Sequence, residues 1–138
     1  MAFAAGLIGD RWTLLVLRGV FYGVGRFSDL QSDLGISRAV LSDRLTRLVD
    51  LGLLQTQAYR RAGGRSWNAY KLTETGRQFL LPLMALATFG ERVSGERSPL
   101  QMKDGNGEGV RVALVNASGQ VVTQDDVVFE LSEPDRNA

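Results

Sequence analysis

The side chains with the most distinctive chemistry are arginines and short polar residues between positions 37 and 65. One set lies on the polar side of a predicted helix: Ser37, Arg38, Ala39, Ser42, Asp43, Thr46 and Arg47. A second set surrounds two glycines: Arg60, Arg61 and Arg65. Arginine can donate paired hydrogen bonds to guanine or to a phosphate, and short hydroxyls can reach a base or the DNA backbone. These residue types favour contact with a nucleic-acid duplex.

The residues of the helical set differ in what they can contact. Arg38, near the helix start, can bind guanine or a phosphate, and Asp43 can accept a hydrogen bond from cytosine. Ser42 and Thr46 can reach either a base or a phosphate. Arg47 lies further along the helix, where contacts to the DNA backbone are favoured. The alternative is a solvated helix face on which Asp43 and Arg47 form an i,i+4 ion pair.

The arginines of the second set indicate the tip of a β-hairpin. Residues 53–59 and 66–72 are short runs rich in Tyr, Trp, Leu and Thr, and a glycine-containing turn separates them. No acidic residue lies between Gly52 and Leu72. Such a tip would neutralise phosphates, which gives affinity with little sequence preference. The alternative interpretation is a solvated loop that carries arginines without a nucleic-acid partner.

A helix over about residues 37–51 must carry the first set. Leu41 and Leu45 fall on one side of it at about 100° per residue, so that side packs on a core and the polar side faces outward. Ser37 is a typical N-cap residue, and Gly52 supplies the left-handed residue that ends the helix.

The remaining predicted elements are helices, and together with the helix over residues 37–51 and the hairpin they follow the element order of a known fold. Three further helices are predicted, over residues 8–22, 27–34 and 73–93. Their expected N-caps are Asp10, Ser28 and Thr73. Pro82 lies inside the last helix and is expected to kink it. The order helix, helix, turn, helix, hairpin, helix predicts an α+β fold, the winged helix-turn-helix. Apolar surface at both ends of this unit favours dimerisation through the terminal helices.

The sequence changes character after residue 97. Short alternating runs there predict strands over residues 110–115, 120–122 and 127–131. We therefore expect two parts: a winged-helix DNA-binding and dimerisation domain over residues 1–97, and a small β-rich appendage over residues 98–138 with a frayed end over residues 134–138. Charge divides similarly: 13 basic and 8 acidic residues in positions 1–100 give +5, and 3 and 7 in positions 101–138 give −4, which sum to +1. A basic body is compatible with nucleic-acid binding.

Composition argues against several kinds of function. The 138 residues include no Cys and no His, which removes disulfides, thiolate chemistry, the usual zinc ligands and histidine general bases. We therefore predict no enzymatic activity, no metal and no cofactor. The chain has no apolar run of the roughly 20 residues that cross a bilayer and no basic leader at its start. These observations predict a cytoplasmic protein without membrane contact.

Four motifs resemble those of one family. They are residues 8–18 (IGDRWTLLVLR), 26–31 (RFSDLQ), 36–45 (ISRAVLSDRL) and 70–76 (YKLTETG). In these motifs the chain resembles the HxlR-type winged helix-turn-helix transcriptional regulators, near the MarR group, across roughly residues 3–94. The resemblance implies a homodimeric regulator that binds a pseudo-palindromic operator in double-stranded DNA. It also implies dimerisation through about residues 1–11 and 78–93.

The resemblance leaves regulation open. Many relatives carry an N-terminal cysteine that some use to sense oxidants, and this chain has no cysteine for such a switch. A small apolar effector could bind between the dimer helices near Trp12, Phe21 or Phe89, although aromatic residues at helical spacing more often belong to the core. A winged helix used for protein–protein contact, without specific DNA binding, is the alternative function.

Overall fold

The computed structural model describes residues 2–60, 66–98 and 101–130. Its elements are, in chain order, α1 (Ala2–Ile8), α2 (Arg11–Phe21), α3 (Phe27–Leu34), α4 (Arg38–Asp50), β1 (Leu54–Arg60), β2 (Ser66–Leu72), α5 (Glu74–Gln78), α6 (Leu80–Ser94), β3 (Leu114–Val115) and β4 (Val121–Val122). A short 3-10 helix, Gln124–Asp126, follows β4. The predicted α+β winged helix-turn-helix is confirmed.

Helices α2, α3 and α4 meet around the most buried side chains of the protein. The largest of these are leucines: Leu17, Leu30, Leu41, Leu45, Leu48 and Leu54. Burying one such side chain contributes about 1.5–3 kcal/mol. Because α4 supplies three of the six, its apolar side is firmly held and its polar side must face outward.

The predicted single helix over residues 8–22 is divided between α1 and α2. Asp10 lies at the junction as the N-cap of α2, which confirms its predicted role. Its carboxylate accepts hydrogen bonds from the backbone N–H groups of Trp12 and Thr13 at 3.1 Å each. A capped start at this point separates α2 from the apolar helix before it.

The start of α3 differs from the prediction. Its N-cap is Arg26, which makes no side-chain capping hydrogen bond. Ser28 lies inside the helix, where its hydroxyl donates to Asp29 at 3.0 Å. The prediction that Ser28 caps α3 is therefore wrong. Arg26 is held extended because it forms a β-bridge with Ala69 of the hairpin, so tertiary pairing sets where this helix begins.

The ends of α4 agree with the prediction. The Ser37 hydroxyl accepts the backbone N–H of Val40 at 3.3 Å. Gly52 has a φ of +69°, in the left-handed region that glycine adopts at little cost. The chain can therefore reverse directly after α4 and enter the hairpin.

Strands β1 and β2 form an antiparallel hairpin in which Leu54 lies opposite Leu72. The predicted strand over residues 66–72 is confirmed, and β1 begins and ends one residue later than predicted. The backbone N–H of Tyr70 donates to the carbonyl of Gly25 at 2.7 Å. This bond holds the hairpin stem against the segment that precedes α3.

The predicted helix over residues 73–93 is divided at Phe79, three residues before Pro82. Thr73 caps α5 as predicted, with its hydroxyl accepting the N–H of Gly76 at 2.9 Å. Pro82 has no N–H to donate to the carbonyl of Gln78, four residues earlier, and its ring crowds that carbonyl, at the residue where α5 ends. The division at Phe79 therefore agrees with the interruption predicted from Pro82.

Helix α5 packs directly on the turn between α4 and β1. A Cβ atom added to the buried Gly76 would lie 2.0 Å from the carbonyl oxygen of Leu53. The Thr73 hydroxyl also donates to the carbonyl of Gly52 at 2.5 Å. Only glycine permits this approach, so α5 is fixed to the base of the hairpin.

Helix α6, by contrast, has no buried residue. Apolar side chains project from one side of it, and Leu81, Phe89 and Val93 are 69%, 65% and 70% exposed. These three residues are called the α6 stripe below. Exposed apolar side chains grouped on one side of a helix favour contact with a partner.

The C-terminal appendage has less regular structure than predicted. Within residues 101–130 its strands are limited to β3 and β4, which pair antiparallel. Thr123 and Asp126 form a reciprocal capping box that turns the chain before residue 127, and Phe129 beyond it is 95% exposed. The predicted strand is therefore wrong over residues 127–130, because the chain there pairs with no other described strand. Residues 131 and 134–138 lie outside the described part.

Candidate nucleic-acid interface

The polar side of α4 is exposed along its length. The seven residues predicted from the sequence all lie on this accessible surface, called the recognition face below: Ser37, Arg38, Ala39, Ser42, Asp43, Thr46 and Arg47. On the opposite side, Leu41, Leu45 and Leu48 are each 0% exposed. The 13 residues of α4 make a rod about 20 Å long, and a helix of this kind fits the major groove of B-DNA.

Arg38 is held at the junction between α3 and α4. Its guanidinium carbon lies 5.4 Å from the centroid of the Phe27 ring. A cation–π contact at an exposed site contributes about 0.5–1 kcal/mol. The contact restrains the side chain near the start of the recognition face and leaves its nitrogen donors available.

An ion pair ties α4 to α2. The Nε atom of Arg44 donates to Oδ1 of Asp10 at 3.0 Å, and the two side chains are 25% and 35% exposed. The second carboxylate oxygen of Asp10 accepts the hydroxyl of Thr13, a polar side chain that is 1% exposed. One carboxylate therefore caps α2 and fixes the middle of α4.

These contacts set the protonation of the pair. Burial of the Asp10 carboxylate alone would raise its pKa. Hydrogen bonds from Thr13 and Arg44 outweigh this effect and lower the pKa of Asp10 from 3.8 to about 2. The hydrogen bond to Asp10 raises the pKa of Arg44. Both groups are charged at neutral pH, and the pair contributes to orienting the recognition face.

Sequence reasoning missed Arg44 because 34 residues separate it from Asp10. A signal was nevertheless present. Arg44 lies three residues after Leu41 and four before Leu48, on the apolar side of the helix. A charged side chain on the buried side of a helix needs a partner of opposite charge. The position of Arg44 therefore predicts an acidic partner elsewhere in the chain.

Arg47 does not pair with Asp43. Its Nη2 atom donates to the carbonyl oxygen of Gly6 at 2.6 Å, and Asp43 binds Arg44 instead. The predicted alternative of an i,i+4 pair is therefore wrong. Arg47 links α4 to α1, and its remaining N–H groups are the ones available to a phosphate.

A further exposed arginine, Arg26, contacts the stem of the hairpin. The exposed Arg26 has its guanidinium carbon 4.9 Å from the centroid of the Tyr59 ring on β1. Tyr59 lies opposite Trp67, which is 47% exposed. Arg26 was not among the predicted contacts, although it begins the second sequence motif. The predicted tip residues Arg61 and Arg65, and the side chain of Arg60, lie outside the described residues.

The three aromatic residues considered for an effector do not share one site. Phe21 lines a cavity of about 620 Å³ between α2, α6 and the segment after α6. Trp12 packs against the core, with the guanidinium carbon of Arg11 5.0 Å from its ring centroid. Phe89 belongs to the exposed α6 stripe. Of the three, the structure places Phe21 beside that cavity.

Two other kinds of site are absent from residues 2–60, 66–98 and 101–130. No cluster of His, Cys, Asp and Glu side chains there could hold a metal ion. Within the same ranges, the helices are too short or too polar to pass through a bilayer.

The arrangement as a whole defines a class of protein. Helices α3 and α4, joined by a tight turn at Gly35 and braced by α2, form a helix-turn-helix with α4 as its second helix. The β1–β2 hairpin lies directly after α4, in the position of a wing. The protein is a winged helix-turn-helix protein.

More closely, the chain belongs to the HxlR-like helix-turn-helix family, whose model matches residues 7–98. An uncharacterized HTH-type transcriptional regulator of Mycobacterium tuberculosis (strain CDC 1551 / Oshkosh) is 44% identical over 88 residues, which are 64% of this chain and 54% of that protein. A relative in Mycobacterium bovis is 43% identical with the same coverage. The chain thus spans about half the length of the curated relatives it matches. The resemblance inferred from the four motifs is confirmed.

Solved structures share the fold. PA1607, a candidate transcription factor, has a TM-score of 0.75 and 27% identity, with 93% of this chain and 91% of that chain covered. PA1374, a candidate transcription factor from Pseudomonas aeruginosa, has a TM-score of 0.64 and 27% identity, with 95% and 90% covered. The reduced form of the regulator YodB from B. subtilis has a TM-score of 0.58 and 24% identity, with 67% and 89% covered. The first two therefore match part of the C-terminal appendage as well.

Proposed function

We propose that the protein is a sequence-specific DNA-binding transcriptional regulator that acts as a homodimer. The observation that carries the proposal is the two-sided character of α4. Its recognition face is exposed and polar, while its other side is buried in leucine and tied to α2 by Asp10 and Arg44. Membership of a helix-turn-helix family and the names of the relatives support the same function. The proposed regulator is not an enzyme and uses no cofactor.

In the proposed complex the helix at about residues 37–51 enters the major groove. Arg38 and Asp43 lie near base edges, and Ser42 and Thr46 reach bases or phosphates. Arg47, further along the helix, contacts the backbone. The hairpin tip at residues 60–65 supplies its arginines to the backbone or the minor groove, with Arg26 beside the stem as an additional positive charge.

The α6 stripe supports the homodimer. Three large apolar side chains that are each more than 60% exposed are costly in a monomer, and a second copy would bury them. Helix α1 adds further apolar residues. A two-fold dimer would present two recognition faces to successive major grooves, about 34–36 Å apart, and so bind a pseudo-palindromic operator. Residues 1–97 form the DNA-binding and dimerisation domain of this proposal, and residues 98–138 form the appendage.

Selection of bound duplexes from a random pool, followed by fluorescence anisotropy on the selected sequence, tests the proposal. Affinity should fall steeply and linearly on a log–log plot as salt rises, because bound phosphates release counterions. Arg38→Ala should weaken binding to the selected duplex by about 1–3 kcal/mol. The variant should also show a smaller difference in affinity between the selected duplex and random DNA. Lys103→Ala, an exposed cation in the appendage, serves as the matched control and should change neither.

A specific outcome would favour the alternative of a protein–protein module. If no duplex is enriched and the folded dimer binds none of them at low salt, the recognition face does not read DNA. Enrichment that Arg38→Ala leaves unchanged would instead mean that other residues provide the base contacts.

A further inference from the structure

A cavity of about 620 Å³ lies between α2, α6 and the segment that follows α6. Phe21, at the end of α2, faces Leu83 and Met84 of α6 across it, and Val110 of the appendage closes another side. Small-molecule sites in proteins are clefts of about 300–1,000 Å³ with largely apolar walls. The cavity has the size and lining of such a site.

Positive charge surrounds this apolar space. Arg18, Arg97 and Arg111 line the cavity, and Glu91 is the acidic residue beside them. The Glu91 carboxylate already accepts the backbone N–H of Ser98 at 2.8 Å. Three guanidinium groups and one carboxylate therefore line the cavity, and the backbone already engages that carboxylate, which leaves a net attraction for an anion.

Arg18 is the member of this group with a buried donor that lacks an acceptor, its Nε atom. Among the buried side-chain nitrogen and oxygen atoms of the described residues, its Nε atom is the one without a hydrogen-bond partner. A buried donor with no acceptor is energetically unfavourable. A carboxylate can accept two parallel hydrogen bonds from one guanidinium group, so it would satisfy Nε and neutralise the charge together.

The cavity does not coincide with the proposed dimer surface. At about 100° per residue, Leu83 and Ala87 lie on the side of α6 opposite Leu81 and Phe89. The cavity uses the first side, and the α6 stripe uses the second. A partner subunit that packs on the stripe therefore leaves the cavity accessible.

We propose that this cavity binds a small organic carboxylate with an apolar body. The carboxylate lies against Arg18, with Arg111 and Arg97 nearby, and the apolar body contacts Phe21 and Met84. Because the cavity includes no residue of the recognition face, carboxylate binding can be measured without DNA. Absence of carboxylate binding would therefore be distinguishable from absence of DNA binding, which is the failure of the proposed function.

Calorimetric titration of the full chain with hexanoate, benzoate and 2-naphthoate tests the site, each compared with its uncharged amide. At least one acid should bind once per chain, and its amide should bind about tenfold more weakly or worse, the loss expected for one charge-assisted hydrogen bond. The aliphatic and aromatic acids in the set determine which kind of apolar body the cavity prefers.

Variants locate the binding site. Arg18→Gln should weaken acid binding about tenfold, while Arg11→Gln, an exposed cation on the same helix, should leave it unchanged. Arg111→Gln provides a second test in the exposed appendage, where the core is not disturbed. Ala87→Phe should fill the cavity and abolish binding. The proposal is overturned if none of the acids binds, if the amides bind as tightly as the acids, or if Ala87→Phe has no effect in a folded protein.

Discussion

Replacing Asp10 by Asn isolates the charge that ties α2 to α4. Asparagine caps helices about as well as aspartate, so the variant keeps a cap and loses the ion pair with Arg44. The pKa of Asp10 is lowered from 3.8 to about 2, and at 1.36 kcal/mol per unit this corresponds to about 2.4 kcal/mol. Because the side chain is 35% exposed, screening by solvent reduces the expected contribution to about 1 kcal/mol.

The sign of the pH dependence follows from the lowered pKa. The stabilisation by Asp10 is fully present above 3.8, the value in the unfolded chain, and is lost as the pH falls toward the folded-state value of about 2. Asp10→Asn should therefore be less stable than the wild type by about 1 kcal/mol at pH 7. The difference should shrink progressively below about pH 4.

Urea unfolding monitored by circular dichroism at pH 7, 5 and 3 measures this difference. Protein concentration must be held constant, since the stability of a dimer depends on it. Asp50→Asn, at the exposed C-terminal end of α4, is the matched control for loss of one negative charge and should not be destabilised, because an acid there opposes the helix dipole. Equal free energies of unfolding for wild type and Asp10→Asn at pH 7 would refute the role assigned to the ion pair.

Three further substitutions test other contacts. Gly76→Ala should lower the free energy of unfolding by more than about 2 kcal/mol, because the added Cβ atom clashes with the backbone. The control Gly90→Ala, in open space on α6, should raise the free energy of unfolding by about 0.5–1 kcal/mol. Urea unfolding measures both changes. Phe89→Glu should convert the proposed dimer to a monomer in light scattering, and Gln55→Glu, an exposed change on β1, should not. Arg47→Ala removes the hydrogen bond to α1, so exchange of α1 backbone amides with deuterium should accelerate; an unchanged rate would mean that α1 is held by other contacts.

The parts of the fold that were predictable are those fixed by local chemistry. Ser37, Gly52 and Thr73 mark helix ends because a hydroxyl acceptor or a left-handed glycine acts within a few residues. The hairpin followed from two short runs around a turn. In each case the interacting groups lie close together in the sequence. Formation of the helix end or the hairpin is enough to bring them into contact, so the local sequence predicts the structure.

The parts that were not predictable depend on distant contacts. Serine is a favourable N-cap residue, but α3 begins two residues before the position predicted from Ser28, because Arg26 pairs with the hairpin. The partnership of Asp10 and Arg44 and the arginine-lined cavity arise only when α2, α4, α6 and the appendage meet, so no local pattern could show them.

The division at Phe79 has a consequence for how such proteins diversify. Packing of Gly76 fixes α5 to the base of the wing, and α6 leaves that assembly at a single residue, Phe79. In the proposed dimer, the angle of α6 would determine how far apart two subunits hold their α4 helices, while the recognition face itself is unchanged. We expect insertion of one residue after Phe79 to alter the preferred gap between half-sites and to preserve the sequence of each half-site. The spacing of the two half-sites and the base sequence of each half-site could then evolve separately in this fold.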